Sequence, residues 1–204
     1  MWIKICGMTS EAAVEACLRA RVDAIGFVFA PSVRRLDPWR AAQLAAPARG
    51  RVTCVAVTLH PTQQFIEQLL REFEPDVLQS DLEDIERLRL PSNLQVLPVL
   101  RGQALPRTLP PRILFEGPHS GTGREADWRA AAQLANATEL VLAGGLRADN
   151  VAAAIGVVRP FGLDVSSGVE VAPGEKSPER IAEFVQAARA AVKGMEYERN
   201  RNRN

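Results

Sequence analysis

A cysteine at position 6 and a carboxylate at position 116 are the side chains of this sequence best placed to move protons. Each should close a strand. In Trp2-Ile3-Lys4-Ile5-Cys6 the alternation of a strand puts Ile3 and Ile5 on one face and Lys4 and Cys6 on the other. Gly7 follows and leaves room for a ligand beside the thiol. The same parity groups Arg112, Leu114 and Glu116 at the other site. A thiolate accepts a proton and a carboxylic acid gives one, so the pair suits a reaction with separate base and acid. Both groups ordinarily rest in the opposite form at neutral pH, with a free cysteine near about 8.5 and a glutamate near about 4.3. Lys4 is the cation available to favour the thiolate, and an apolar rim around Phe115 would favour a protonated Glu116. Each residue also has a plainer reading: a small packed thiol for Cys6, and a solvated carboxylate at a loop edge for Glu116.

Two turns of small residues add a second kind of chemistry. Leu163-Asp164-Val165-Ser166-Ser167-Gly168-Val169-Glu170 runs an apolar strand into a Ser-Ser-Gly turn, and Leu142-Ala143-Gly144-Gly145-Leu146 makes a similar turn upstream. Such turns expose backbone N–H groups that can hold a phosphate, with Gly144, Gly145, Ser166, Ser167 and Gly168 as its ligands. Asp164 shares a face with Gly162 and Ser166, so it points inward. There it either pairs with Lys4, since a lone buried charge is costly, or meets a substrate hydroxyl. Arg34 or Arg35, in Ser32-Val33-Arg34-Arg35, can grip a carboxylate with two parallel hydrogen bonds or can simply be a solvated loop arginine.

Other chemistries find little support. Cys6, Cys17 and Cys54 are an odd number at spacings that match no metal or disulfide framework, and His60 and His119 lie far apart, so no metal site is expected. Cys17 and Cys54 read as packing residues, and the two histidines show no partner. Gly121-Thr122-Gly123 is too short for a nucleotide motif. The formal net charge of +1 gives no field to attract nucleic acid or an anionic membrane. No apolar run reaches the roughly 20 residues that span a bilayer, and Met1-Trp2-Ile3-Lys4-Ile5 reads as a strand from the outset rather than a leader. A reducing cytoplasm is the expected setting.

The elements that must position these groups are legible as βα units. Strands are expected near Trp2–Cys6, Ala24–Phe29, Val52–Thr58, Asp76–Gln79, Gln95–Leu100, Arg112–Phe115, Glu139–Ala143 and Phe161–Val165. Helical spacing of apolar residues marks Glu11–Ala20, Pro38–Ala46, Thr62–Glu72, Asp127–Leu134, Asp149–Val157 and Glu179–Val192. Asp81–Leu90 is a plausible fourth helix, and Gly102–Leu109, with Pro106 inside it, should be short or irregular. At 204 residues, 47% of them hydrophobic, one well-buried domain is expected. Eight βα units fit a closed barrel or a doubly wound sheet. The open sheet usually carries its Gly-rich loop after the first strand, whereas here such turns follow the seventh and eighth. That favours a single-domain (βα)8 TIM barrel over residues 1–193, with its phosphate site at the seventh and eighth loops. Residues 194–204, polar and aperiodic, are expected to form a disordered tail.

Taken together, these segments resemble the phosphoribosylanthranilate isomerase family, from Lys4-Ile5-Cys6-Gly7-Met8-Thr9 to about Ala191. Gly26-Phe27-Val28-Phe29 with Ser32-Val33-Arg34, Gly121-Thr122-Gly123 with Asp127-Trp128, Leu142–Leu146, and Asp164–Glu170 with Pro173-Gly174-Glu175-Lys176 carry the resemblance. It implies a cofactor-free Amadori rearrangement of a small phosphoribosyl substrate in tryptophan biosynthesis, by a monomer or homodimer with no nucleic-acid or membrane partner. It assigns Cys6 as base, Arg34 to the anthranilate carboxylate, Asp164 to the sugar hydroxyls, and the Gly144–Gly145 and Ser166–Gly168 turns to the phosphate. Three departures stand out. Glu116 replaces the family's usual aspartate acid, one methylene longer, and a displacement of about 1 Å can cost on the order of a hundredfold in rate. Gln79-Ser80-Asp81 stands where relatives usually read Gln-Leu-His-Gly, and Ser120 where a glycine is usual. An isomerase of a related histidine-pathway phosphosugar amine, and a non-catalytic phosphoribosyl-binding protein, are the alternatives.

Overall fold

Short runs of β-branched and apolar residues form strands that are buried on both faces, as parallel strands between a core and a helix layer must be. In a computed structural model describing residues 1–101, 108–117 and 126–201 (side chains to 195), eight parallel strands close into a barrel in chain order. They are β1 (Trp2–Cys6), β2 (Ala24–Val28), β3 (Thr53–Val57), β4 (Val77–Asp81), β5 (Gln95–Leu100), β6 (Arg112–Phe115), β7 (Glu139–Leu142) and β8 (Gly162–Val165). The ring closes where β8 pairs with β1, with Lys4 opposite Asp164. Around it lie α1 (Glu11–Ala20), α2 (Pro38–Ala45), α3 (Gln63–Glu72), α4 (Leu82–Arg87), α5 (Trp128–Ala135), α6 (Val151–Val158) and α7 (Pro178–Arg201). The expected TIM barrel is the fold observed.

Helix starts follow from local chemistry. Ser10, Asp37, Thr62 and Asp127 each accept a hydrogen bond from a backbone N–H of the first turn, satisfying a donor the helix itself cannot. Pro38 opens α2 with its φ already suited to a helix. Side-chain parity then separates two cores. Ile3, Ile5, Ile25, Phe27, Ile113, Phe115, Leu163 and Val165 pack outward against the helices. Leu97, Val99, Leu114, Val141 and Ala143 fill the barrel interior. Each large side chain so buried is worth about 1.5–3 kcal/mol. Below them, the Arg112 guanidinium sits 4.3 Å over the Phe161 ring, which stacks on Trp2, and Arg112 also pairs with Glu139. This plugs the N-terminal end of the barrel and leaves the C-terminal end for the site.

Three expectations require correction or limitation. β4 runs through Asp81 rather than ending at Gln79, so α4 is only the six residues Leu82–Arg87. Polar Gln-Ser-Asp looks like a helix start, but Ser80 and Asp81 stay in register with Pro98 and Val99 of β5. The helix expected to stop at Val192, before a disordered tail, instead continues to Arg201. Elongating a packed helix needs no new nucleus, and Glu196, Glu198 and Arg199 are good helix formers without an apolar face to reveal them. Most of the irregular segment expected at 102–109, together with His119, Ser120 and the Gly121–Gly123 turn, lies outside the described residues. Among the described residues, no helix is long and apolar enough to cross a membrane.

Candidate active site

The seam where the ring closes carries the thiol. Cys6 ends β1 on the inner face, 8% exposed, and Lys4 lies one layer below it with no exposure. Lys4 Nζ donates to Asp164 Oδ1 at 2.9 Å, so the expected pair is formed. Gly26, opposite Cys6 on β2, makes the room: a Cβ there would stand 3.0 Å from Cys6 Sγ and 3.1 Å from Lys4 Nζ. A glycine inside a strand is the signal that could have singled it out. Burial pulls the Lys4 ammonium down, but Asp164 and then Cys6 outweigh it and hold it above its usual value. For Cys6 the balance falls the other way. Burial pushes the thiol up, and Lys4 and Lys176 only partly oppose it. Lys4 does favour the thiolate, as expected, but Cys6 rests as a thiol.

Arg34, not Arg35, turns into the site. Its Nε and Nη2 donate to the two carboxylate oxygens of Glu170 at 2.7 Å each. Gly7 permits this: with φ +84 it has no side chain, and a Cβ would lie 2.5 Å from Arg34 Cδ. Lys176 Nζ reaches Glu170 Oε1 at 2.6 Å and the Gly174 N–H reaches Oε2 at 3.2 Å. Burial pushes the Glu170 carboxyl up, but the hydrogen bonds from Arg34 and Lys176 prevail and hold it at about 2. Lys176 gains less: burial outweighs Glu170 and leaves its ammonium below the usual value. The Glu170 carboxylate finds its arginine 136 residues away in sequence, a pairing that no local pattern reveals.

The turns after β7 and β8 meet through their backbones. Gly144 and Gly145 both have positive φ, 93° and 65°, where a side chain would be strained. A Cβ on Gly168 would fall 1.9 Å from the Leu146 carbonyl oxygen, so only glycine lets the two turns touch. Ser167 and Gly168 lie in a short 3-10 turn, Ser167–Val169. The Ser166 hydroxyl is engaged internally, donating to the Cys6 carbonyl at 3.0 Å and accepting from Lys176 Nζ at 3.2 Å, while the same ammonium donates to the Ser166 carbonyl at 3.0 Å. It ties the end of β8 to the end of β1.

Glu116 follows β6 on the rim and is ion-paired to Arg101, which also holds Asp81 at 2.9 Å. The reading as a merely solvated carboxylate is excluded. Gln79 lies two residues before Asp81 on β4 and is 6% exposed, with no hydrogen-bond partner on its Oε1. His60, expected to lack a partner, has one: its N–H donates to Asp84 Oδ2 at 2.8 Å and its Nδ1 lies 3.2 Å from Oδ1. Cys17 and Cys54 are packing residues, their thiols pushed up by burial to about 12 and about 11. Among the described residues no group of His, Cys, Asp or Glu could hold a metal.

A family profile described as N-(5'-phosphoribosyl)anthranilate isomerase matches residues 3–187, which span all eight strands and both sides of the mouth. The chain belongs to that family. An N-(5'-phosphoribosyl)anthranilate isomerase from Chelativorans sp. is 39% identical over 93% of this chain and 96% of the relative. The crystal structure of TrpF from Jonesia denitrificans superposes with a TM-score of 0.79 at 36% identity, covering 94% of this chain and 98% of that one. A phosphoribosylanthranilate isomerase solved with reduced 1-(o-carboxyphenylamino)-1-deoxyribulose 5-phosphate does so at 0.75 and 27%, covering 93% and 99%. For a member of the isomerase family, the site brings Cys6, Arg34, Asp164, Ser166 and the Gly168 turn together around the β8–β1 seam. Glu116 stands across the mouth, three strands away around the ring.

Proposed function

We infer that this isomerase of tryptophan biosynthesis converts N-(5'-phosphoribosyl)anthranilate to 1-(2-carboxyphenylamino)-1-deoxyribulose 5-phosphate, with Cys6 as base and Glu116 as acid. Glu116 gives its proton to the ribose ring oxygen. The C1–O bond breaks, and the nitrogen lone pair forms the C1=N Schiff base. Cys6 takes the proton from C2, the C–H electrons form C1=C2, and the C=N electrons return to nitrogen. The enol proton then leaves oxygen, C1 gains one, and the ketone results. Hydrogen has moved from C2 to C1 with no net oxidation, so no cofactor is needed.

The observation that carries this reading is the Cys6–Lys4–Asp164 cluster beside the Arg34–Glu170 pair. Lys4 supplies the charge that a developing thiolate meets. Arg34, made rigid by Glu170, still has three of its five N–H donors for the anthranilate carboxylate. The N–H groups of the Gly144–Gly145 and Ser167–Gly168 turns take the phosphate, and Asp164, charge-paired below, takes the sugar hydroxyls. Ser166 acts as the brace between these parts through its bond to Cys6. Three buried, unbridged cysteines suit a reducing cytoplasm.

The test is turnover of freshly made phosphoribosylanthranilate, followed by loss of anthranilate fluorescence. Cys6→Ala and Glu116→Gln should each lower kcat by about a hundredfold or more. A wild-type rate in either variant removes that residue from its role.

A further inference from the structure

Glu116 and Asp81 meet in the structure through one guanidinium, that of Arg101. Asp81 ends β4, Arg101 follows β5, and Glu116 follows β6, so three consecutive strands each contribute one charged residue to the C-terminal rim. Arg101 Nε donates to Asp81 Oδ1 at 2.9 Å, and its Nη1 donates to Glu116 Oε1. All three side chains are mostly covered, Arg101 being 20% exposed, Asp81 21% and Glu116 13%. Burial alone would pull the guanidinium down, yet Asp81 and Glu116 together hold it above its usual value, so it stays a cation held by both acidic side chains.

We propose that Arg101 is the positioning residue for the Glu116 carboxyl, and that Asp81 fixes Arg101 for that task. The proposal rests on Glu116 being the acid. A glutamate has one more rotatable bond than an aspartate, so its carboxyl sweeps a wider arc unless something holds it. A lysine would hold it loosely, since an ammonium is a point charge on a flexible stem. The planar fork of arginine fixes direction as well as distance. Arg101 would itself swing if only Glu116 held it, and Asp81, short and at the end of a paired strand, pins it from the other side. The charges of Asp81 and Arg101 cancel, so the tether orients the Glu116 carboxyl without adding net charge to the mouth.

The experiment is a set of variants assayed on fresh phosphoribosylanthranilate, with kcat and KM measured separately and thermal unfolding recorded for each. Arg101→Met should lower kcat by about ten- to a hundredfold, as a carboxyl displaced by about 1 Å would, with KM within about threefold. Asp81→Asn should lower kcat in the same sense but less. In a Glu116→Gln background, Arg101→Met should cost about twofold or less, because the group it aims is gone. In a Glu116→Asp background its cost should also shrink, the shorter side chain needing less guidance. If Arg101→Met proves unfolded, Arg101→Lys keeps the charge, loses the fork and should lower kcat while leaving KM. A wild-type kcat in Arg101→Met or Arg101→Lys, a change confined to KM, or a full additional loss in the Glu116→Gln background overturns the positioning role. A wild-type rate in Glu116→Gln alone instead overturns the acid assignment itself.

Discussion

Cys6, the proposed base, rests protonated, and the charges around it define how that state can be moved. Burial is the largest push on the thiol and raises it; Lys4 opposes that push and Asp164 adds to it. The two neighbours therefore predict opposite shifts. Lys4→Met removes the opposing cation, so at a fixed pH near 8 the thiolate becomes scarcer and iodoacetamide alkylation of Cys6 slows, by about tenfold for each pKa unit gained. Asp164→Asn removes a charge that raises Cys6, so alkylation speeds up. Shifts of the same sign in both variants would show that packing rather than charge governs the thiol. Parity along the first and eighth strands was enough to predict the inward thiol, its lysine and the facing aspartate. It did not reveal the Arg34–Glu170 grip or the Arg101 bridge. Those join residues 136 and 15 positions apart, through loops whose course depends on the finished fold.

At the scale of elements, the strands were legible because burial on two faces demands apolar runs, and the helices because one apolar stripe repeats every turn. What misled was polarity at the rim. Gln79-Ser80-Asp81 is strand by pairing though not by composition, and the last turns of α7 are helix without an apolar stripe. The turns after β7 and β8 depend on a contact that only coordinates display, the approach of Gly168 to the Leu146 carbonyl. Gly168→Ala must push these turns apart, because the obstacle is backbone rather than a side chain that can rotate. We expect KM for phosphoribosylanthranilate to rise by about tenfold or more, with a smaller change in kcat, since phosphate binding is one of the contacts shared by substrate and transition state. Steady-state kinetics of the variant checks this, and an unchanged KM would remove those turns from the phosphate site.

For the whole molecule, the Glu170 cluster links stability to acidity. Its carboxyl titrates at about 2 in the folded protein, below the roughly 4.3 of an unperturbed glutamate, so the folded state favours the ionised form. The stabilisation is fully present above the unfolded value, and it disappears as pH falls from about 4.5 through about 2. Glu170→Gln should flatten that part of an acid-unfolding profile, measured by denaturant midpoints from pH 6 to pH 2. It should also lower stability at neutral pH, because Arg34 and the buried Lys176 lose their shared partner. The closing seam has a consequence for how the enzyme comes into being. Lys4 and Asp164 are 160 residues apart, and Cys6 is tied to Ser166 over the same distance. During synthesis Asp164, which pairs with Lys4, and Ser166, which braces the end of β1, emerge from the ribosome long after the thiol. Until they do, Cys6 stands in an unfinished site, and the catalyst is born in the same event that shuts the ring.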